Sequence, residues 1–364
     1  MRAFCTLSML WLAATAVRAE DPLAVVAASR AGRIEFFDSS LNALAAISVG
    51  QSVESVAAGP DGRRLYLALG GESATSSCCG LYALDLGTRT MCFLPAPALF
   101  GVPSPDGRFL FTQGAGGVDV FDAATLFRLP RMKAPGTYNL QPSPDGRWLL
   151  GVTNYPQASV DVFDMKARAM VRRLPVPVPG PAAGAWAGDR FYVFAYDANS
   201  APGSSWLWNV NPERSEPPPA EPIGLLDLHG ACNQPVLLML AGAPGRLFIA
   251  EVFGFKVDRR RDCPDQASSG VYAIRPSSGR VDLIAPSVQV NRMVVSPDGR
   301  DLYVIHSSAP GPQRNVSLLR FDTRTSRILS HFILEPGDWN LALARIPPGL
   351  IPRGEVRAAG ACPR

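Results

Sequence analysis

The stretch SPDGR stands at Ser104–Arg108, again at Ser143–Arg147 and again at Ser296–Arg300, with a near copy, GPDGR, at Gly59–Arg63. In such a stretch Pro presets φ at the first central turn position, Asp hydrogen-bonds its own backbone, and Gly takes the left-handed conformation that strains other residues. Each copy is a tight turn, and a chain that writes one turn four times is a repeat. Short β-type runs flank every copy: SVESVAA, ALFGVP, YNLQP and NRMVV before, RLYLAL, FLFTQG, WLLGVT and DLYVIH after. A second shared piece follows each time, LYALDLGTRT, VDVFDAATLF, VDVFDMKARA and LLRFDTRTSR, and IEFFDSSLNA at Ile34–Ala43 is the same piece. Its aspartates are Asp38, Asp85, Asp122, Asp164 and Asp322. A group needed in every unit serves structure rather than chemistry, so these read as Asx-type turn caps.

One unit is thus strand, SPDG turn, strand, loop, strand, Asp turn, strand: a four-stranded meander of about 40–50 residues, the period of a propeller blade. A single meander cannot bury both faces, whereas blades packed around an axis can. Units fall at Ser52–Pro97, Ala98–Pro135, Gly136–Pro177, Gly180–Asp227, His229–Gln289 and Val290–Gly337, the fourth and fifth with degraded turns, AGDRFYVF and APGRLFIA. The N-terminal piece, Leu23–Val49, supplies three strands, and WNLALARI at Trp339–Ile346 supplies the missing one. The expected fold is all-β: one seven-bladed β-propeller domain over residues 20–364, closed by pairing the C-terminal strand with the N-terminal blade so that no open break remains.

Composition agrees. The 364 residues are 47% apolar, and 33 Gly and 34 Pro punctuate many short strands. The first nineteen residues, with the apolar run LSMLWLAATAV and VRA at Val17–Ala19, read as an export signal cleaved before Glu20, which predicts a periplasmic or secreted protein. Removing Arg2 and Arg18 leaves 33 basic against 31 acidic residues. That near-neutral balance gives no reason to expect nucleic acid, and no later segment is long and apolar enough to predict a membrane span. Loss of Cys5 leaves Cys78, Cys79, Cys92, Cys232, Cys263 and Cys362, an even set that reads as disulfides in an exported chain. In the hairpin Leu81–Leu94, Cys92 faces about Ala83, so a Cys79–Cys92 bridge needs distortion. The expectation is that Cys78 or Cys79 clamps Cys362, and that Cys232 pairs with Cys263 across a long insertion.

That insertion, EVFGFKVDRRRDCPDQASSG, carries Lys256 and Arg259–Arg261, nearly balanced by Asp258 and Asp262, and reads as a solvated loop. ERSEPPPAEP at Glu213–Pro222 reads as an extended proline-rich connection. Asn315–Ser317 matches a glycan acceptor. Catalytic signatures are missing: no Cys-x-x-Cys-His for haem, no Gly-x-Ser-x-Gly elbow, and three histidines, His229, His306 and His331, without ligand spacing. No metal and no cofactor are expected on this chain. Aligning the units on the SPDG turn places Glu54, Leu99, Tyr138 and Asn291 at one position of the innermost strand and Ser55, Phe100, Asn139 and Arg292 at the next, while Asn340 opens the closing strand and Asn233 opens another. Innermost strands line the channel of a propeller, so Glu54, Tyr138, Asn139, Asn291, Arg292 and Asn340 are the candidate ligand-binding residues at its mouth.

VVSPDGRDLYVI and VDVFD resemble the YVTN-type repeats of seven-bladed propellers, and through them the propeller subunit of quinoprotein amine dehydrogenases, over essentially the whole mature chain. The resemblance implies a haem-free propeller chain whose quinone cofactor sits on a separate small subunit. Some quinone-dependent propeller enzymes also bond adjacent cysteines beside the cofactor, but the residues around Cys78 and Cys79 do not match theirs. Lactone hydrolases of the seven-bladed type share the repeat, without their His- and Arg-rich pocket segments recurring here. The function expected is that of an exported, non-catalytic binding or interaction scaffold whose partner is another exported protein or a small ligand. The alternatives are the propeller subunit of a multi-chain amine dehydrogenase and a lactone hydrolase.

Overall fold

The computed structural model describes residues 22–70, 79–97, 100–114, 116–134, 136, 138–153, 158–176, 182–197, 204–214, 235–253, 269–287, 289–307, 315–347 and 349–362. Among them are twenty-eight β-strands and no helix. The first three are β1 (Leu23–Ser29), β2 (Arg33–Asp38) and β3 (Ala43–Ser48). Then follow β4 (Ser52–Ala58), β5 (Arg64–Gly70), β6 (Cys79–Asp85) and β7 (Thr90–Pro97) as blade 2, and β8 (Gly101–Pro103), β9 (Phe109–Gly114), β10 (Gly117–Asp122) and β11 (Arg128–Lys133) as blade 3. Blade 4 is β12 (Tyr138–Pro142), β13 (Trp148–Thr153), β14 (Ser159–Asp164) and β15 (Ala169–Pro175); blade 5 is β16 (Ala182–Ala187), β17 (Arg190–Asp197) and β18 (Ser204–Val210). Blade 6 is β19 (Pro235–Ala243), β20 (Arg246–Phe253), β21 (Ser269–Arg275) and β22 (Arg280–Ser287); blade 7 is β23 (Gln289–Val295), β24 (Asp301–Ser307), β25 (Val316–Asp322) and β26 (Ile328–Leu334). The chain returns through β27 (Trp339–Arg345), which joins β1–β3 as the inner strand of blade 1, and ends in β28 (Arg357–Ala361).

The seven sheets close into a propeller. β27 runs antiparallel to β1 from Leu23↔Arg345 to Ser29↔Trp339, as the two ends of the sequence require. Burial grades outward within each blade. Second strands, pressed by a neighbour on both faces, are mainly apolar and buried: WLLGVT of β13 is wholly buried, as is all of RLYLALG of β5 but its first residue. Outer strands such as β3 and β15 are mostly exposed, even where, as in ALAAIS of β3, the residues are apolar. Each apolar cluster therefore lies between blades, as between blades 4 and 5, where Trp148, Val160, Phe191 and Trp208 pack together.

The SPDG turn is locked by side chains. Ser104 Oγ donates to Asp106 Oδ1 at 2.5 Å and accepts from Phe109 N at 2.9 Å, while Asp106 Oδ1 also accepts from Arg108 N at 3.1 Å. The same set recurs about Ser143 and Asp145 and about Ser296 and Asp298. The serine hydroxyl is the leading cause that holds the Asp145 and Asp298 carboxyls below their ordinary value. In the Gly59 copy the glycine of the turn is also a packing requirement. Gly62 has φ +64°, and a Cβ there would stand 1.5 Å from the Arg345 carbonyl oxygen at the end of β27.

The recurrent aspartates are turn caps. Asp122 Oδ1 accepts from Ala124 N, Thr125 N and Thr125 Oγ1, and Asp38, Asp85, Asp164 and Asp322 cap their own turns in the same way. The residue after the cap has a second task. Its carbonyl accepts a donor from the preceding blade at four interfaces: Ala123 O from Arg64, Pro212 O from Arg172, Thr323 O from Arg246, and Ser39 O from the Tyr303 hydroxyl at 3.0 Å. Asn211 fills the place of the aspartate in blade 5 and accepts from Glu213 N at 2.8 Å.

In three blades a further acid, two residues ahead of the Phe before the cap, is buried. Asp119 and Asp161 have wholly buried side chains and are met from the outer strand by Arg128 and Arg131, and by Arg173, at 2.6 Å. Glu35 occupies this place in blade 1 and meets Arg33 at 2.7 Å. Burial alone pushes the Asp119 carboxyl up, but hydrogen bonds from Arg131 and Arg128 outweigh it and hold the carboxyl below its ordinary value.

The tail corrects one expectation. Cys362 is bonded to Cys92, with Cα atoms 4.7 Å apart, and not to Cys78 or Cys79. β28 adds to blade 2 as a fifth strand, parallel to the outer strand β7 (Arg357↔Thr90, Ala361↔Phe93). Cys79 begins β6, so β7 stands between it and the tail. The expected facing of Cys92 and Ala83 is observed. Cys78, Cys232 and Cys263 lie outside the described residues, as do residues 1–21, the basic part of the long insertion and residues 215–222 of the proline-rich connection.

Two outcomes follow. Tyr303 is fully buried at the closing interface, and its hydroxyl is pushed up to about 12 by burial. Tyr303→Phe orphans Ser39 O and is expected to cost about 1–2 kcal/mol in urea unfolding. For Asp119, the folded carboxyl lies below the unfolded one, so its contribution is complete above the unfolded value near 3.8 and is lost as pH falls through the lower folded value. Asp119→Asn should therefore be less stable than the parent at about pH 7, with the gap closing below about pH 4 in the same assay.

Candidate ligand site in the central channel

Four inner strands share one irregularity. The pairing with the second strand slips between Val53 and Ser55 in β4, between Tyr138 and Gln141 in β12, between Pro235 and Leu237 in β19 and between Val290 and Arg292 in β23. A bulge inserts an unpaired residue and re-aims the side chains around it. In β4 and β23 it falls on Glu54 and Asn291, in β12 it lies nearer the turn and takes in Asn139 and Leu140, and Asn139 there has φ +47°, a left-handed conformation that Asn tolerates better than most residues.

The result is a cavity of about 520 Å³ on the propeller axis. Its walls come from the inner strands of six blades, β4, β8, β12, β16, β19 and β23, together with Arg30 from the β1–β2 turn of blade 1. Glu54, Asn139 and Arg292 all line it, as do Ser55 and Phe100. Tyr138 and Asn291 lie beside them on β12 and β23, and their side chains are outside the described set, as are Leu99, Asn233 and His229. Asn340 is placed differently from the expectation. It is buried behind the wall, accepting from Arg292 Nε at 3.0 Å and donating from Nδ2 to Val53 O at 3.0 Å. Its first position in the closing strand after Trp339 puts it next to β4 and β23, so it braces Arg292 instead of facing the channel.

The charges are arranged unevenly. Glu54 Oε2 pairs with Arg30 at 3.0 Å and its Oε1 accepts from Ser52 Oγ at 2.8 Å. Arg30 also reaches Asp338 at 3.2 Å. Arg30 could not be singled out from the repeat, because it sits in the β1–β2 turn rather than on an inner strand. Burial, and next the like charge of Arg30, lower the Arg292 pKa, and Glu54 opposes them. Apolar surface from Val56, Phe100, Val102, Leu140 and Met293 separates these groups. The set can fix a small molecule by a held guanidinium, amides and apolar walls. Among the described residues no three His, Cys, Asp or Glu stand together as a metal site. His306 lies half-buried on β24, its pKa lowered by burial, and His331 is exposed on the outer strand β26.

A larger hollow, about 640 Å³, opens on the SPDG side between blades 4 and 5. Its lining comes from two blades alone, and Arg147 within it is already engaged, lying 4.7 Å over the Trp148 ring and pairing with Glu213 at 2.5 Å. We therefore place the candidate site in the channel.

Comparison with known proteins extends the fold and nothing more. No family model matches the chain, so none accompanies the resemblance to YVTN repeats or to amine dehydrogenase subunits. No curated protein matches it in sequence. Among solved structures it is similar to Kuenenia stuttgartiensis hydrazine synthase, at 16% identity and TM-score 0.55 over 74% of this chain and 76% of that one. It is also similar to apo AztD from Citrobacter koseri, at 11% identity and TM-score 0.51 over 89% and 98%. A third is the β-propeller domain of the Trilobed protease from Pyrococcus furiosus, at 13% identity and TM-score 0.50 over 73% and 81%. That domain is described as having an open velcro topology, whereas here β27 fastens to β1. At such identities the likeness shows a propeller, and these neighbours serve varied functions.

The bracing of Arg292 is open to test. Asn340→Ala removes one partner from Arg292 and leaves Val53 O without its side-chain donor, and is expected to cost about 1–3 kcal/mol. Asn340→Asp, which keeps the acceptor, should recover the Arg292 contact but not the Val53 one, and thermal unfolding of the three proteins checks the order.

Proposed function

We propose that the protein is an exported, non-catalytic binding propeller whose ligand site is the channel mouth. One observation carries the reading: Glu54, Asn139 and Arg292, from three inner strands that each carry a bulge, line a single cavity, with Arg292 braced from behind by Asn340. A bulge costs ladder hydrogen bonds, so its recurrence at the channel is better suited to a site than to a spacer. The volume lies within the range of small-molecule pockets. Export rests on the leader-like start at Met1–Ala19. The alternative partner is another exported protein docking on the same face.

The test is a thermal-shift screen of the mature protein against a metabolite library, paired with affinity capture from a periplasmic fraction. A ligand present at about a hundred times its Kd should stabilise the protein by about 2.7 kcal/mol, and Arg292→Ala should abolish that shift. A screen without any Arg292-dependent shift would remove the channel as a site. Turnover of amines or lactones by the isolated chain would replace binding with catalysis.

A further inference from the structure

The outer edge of blade 7 is open in a way that the other described edges are not. We propose that β26 pairs antiparallel with the β26 of a second copy of this chain, joining two four-stranded blades into one continuous sheet across a two-fold axis at His331. No channel residue takes part, so the dimer and the ligand site stand or fall separately.

An edge strand offers unpaired backbone groups to any other strand, and proteins guard such edges by covering them or by placing charge or Pro on them. Blade 2 is covered, since β28 lies along β7. Blades 3, 4 and 6 carry guards: Pro130 and Lys133 in β11, Arg173 and Pro175 in β15, Arg280 and Asp282 in β22. ALAAIS of β3 has no such guard but offers mostly Ala methyls. ILSHFIL of β26 has no Asp, Glu, Lys, Arg or Pro, and among the described residues no strand lies beyond it in its sheet. It also exposes more large apolar side chains than any other described strand, with Ile328 at 56%, Leu329 at 50% and Ile333 at 67%. Ser330, Phe332 and Leu334 turn inward, Phe332 meeting Phe37 of blade 1 with ring centres 4.8 Å apart, which leaves Leu329, His331 and Ile333 in a row outside. The bulge at Leu329 has counterparts in β3, β11, β15 and β22, so it does not set this edge apart, and beyond it Ser330–Leu334 keep an unbroken register with β25. The strand's own sequence indicates the occupant. Antiparallel pairing about His331 sets Leu329 opposite Ile333 and Ile328 opposite Leu334 of the other copy, so that apolar side chains meet across the joint. It also brings Arg327, just before the strand, beside Glu335, just after it, and does so at both ends. Both residues are exposed, and Arg33, which reaches Glu335 at 3.5 Å, lies closer to Glu35, at 2.7 Å. Centring the pair on Ser330 or on Phe332 opposes neither charge to the other. A strand with opposite charges at its two ends is complementary to its own antiparallel copy and not to a parallel one. One strand pair is a small interface, so the dimer is a weak one.

The experiment is sedimentation velocity of the mature protein at low salt. The protein should pass from monomer towards dimer as its concentration rises over about 1–300 µM, a range suited to a small interface. Ile333→Lys sets two ammonium groups into the apolar row and should weaken the dimer at least about tenfold. Arg327→Glu and Glu335→Arg each set like charges together at both ends, and each should weaken it about 5–50-fold. Mixed in equal amounts, these two charge variants bring opposite charges together again at both ends and should dimerise about as well as the parent. All three substitutions fall on exposed residues, and thermal unfolding checks that each variant keeps its fold. A monomer at every concentration overturns the dimer. A dimer indifferent to Ile333→Lys overturns β26 as its edge. A dimer that Ile333→Lys breaks, but that the charge variants do not weaken or their mixture does not restore, overturns the antiparallel pairing about His331.

Discussion

The register of the propeller depends on one recurrent contact: at four interfaces the carbonyl after a turn-capping Asp or Asn receives a donor from the blade before it. Ala123, Pro212, Thr323 and Ser39 accept in this way from Arg64, Arg172, Arg246 and Tyr303. The cap holds its turn rigid through its own backbone, and a rigid turn offers its first carbonyl at a fixed place. Hydrophobic packing between blades is strong but without direction. These bonds give it a register, which a closed ring of seven sheets needs because small errors at each interface would add. Closure by β27 on β1 then falls into place, with Tyr303 of blade 7 reaching Ser39 of blade 1 across that joint.

Much of this was legible because the repeat writes turns in residues with few alternatives. SPDGR needs its Pro, Asp and Gly for separate backbone reasons, so four copies located four blades, and the apolar runs around them located the strands. WNLALARI could be assigned to blade 1 because the N-terminal piece lacked an inner strand. Where structure relies on other residue types, the reading failed. Asn211 does the work of an aspartate, but its identity differs from the five it joins. RAAGA of β28 has no strand pattern of its own, and its place follows from the parallel pairing with β7 and the bond to Cys92. The buried carboxylates left a signal that was available: Glu35, Asp119 and Asp161 occupy the same place in IEFFD and in both copies of VDVFD. A charge repeated among buried neighbours calls for a repeated countercharge, and Arg33, Arg131 and Arg173 provide it.

The channel was legible in part for the same reason. Inner-strand positions follow from the turn, so Glu54, Asn139 and Arg292 could be brought to two neighbouring levels. The bulges could not, since an extra unpaired residue leaves the composition unchanged. Nor could the role of Asn340, which depends on β27 lying between β23 and β4 once the ring has closed. Its bracing of Arg292 is thus a product of closure and not of any local motif.

This separation also explains why kinship in fold carries so little about function. Contacts between blades fix what the second and third strands must be, and so propellers with identities of 11–16% superpose over most of the chain. The polar residues at the bulges, Glu54, Asn139 and Arg292, belong to none of the apolar clusters, although Val53, Leu140 and Val290 beside them do. Glu54 and Arg292 differ in charge at neighbouring aligned positions, and the strands that bear them are equally well formed. Selection on a ligand can act there at little cost to the ring. Among the described residues the charges on the channel wall, Arg30, Glu54 and Arg292, are therefore the part of the molecule least explained by its architecture and most open to a chemical reading.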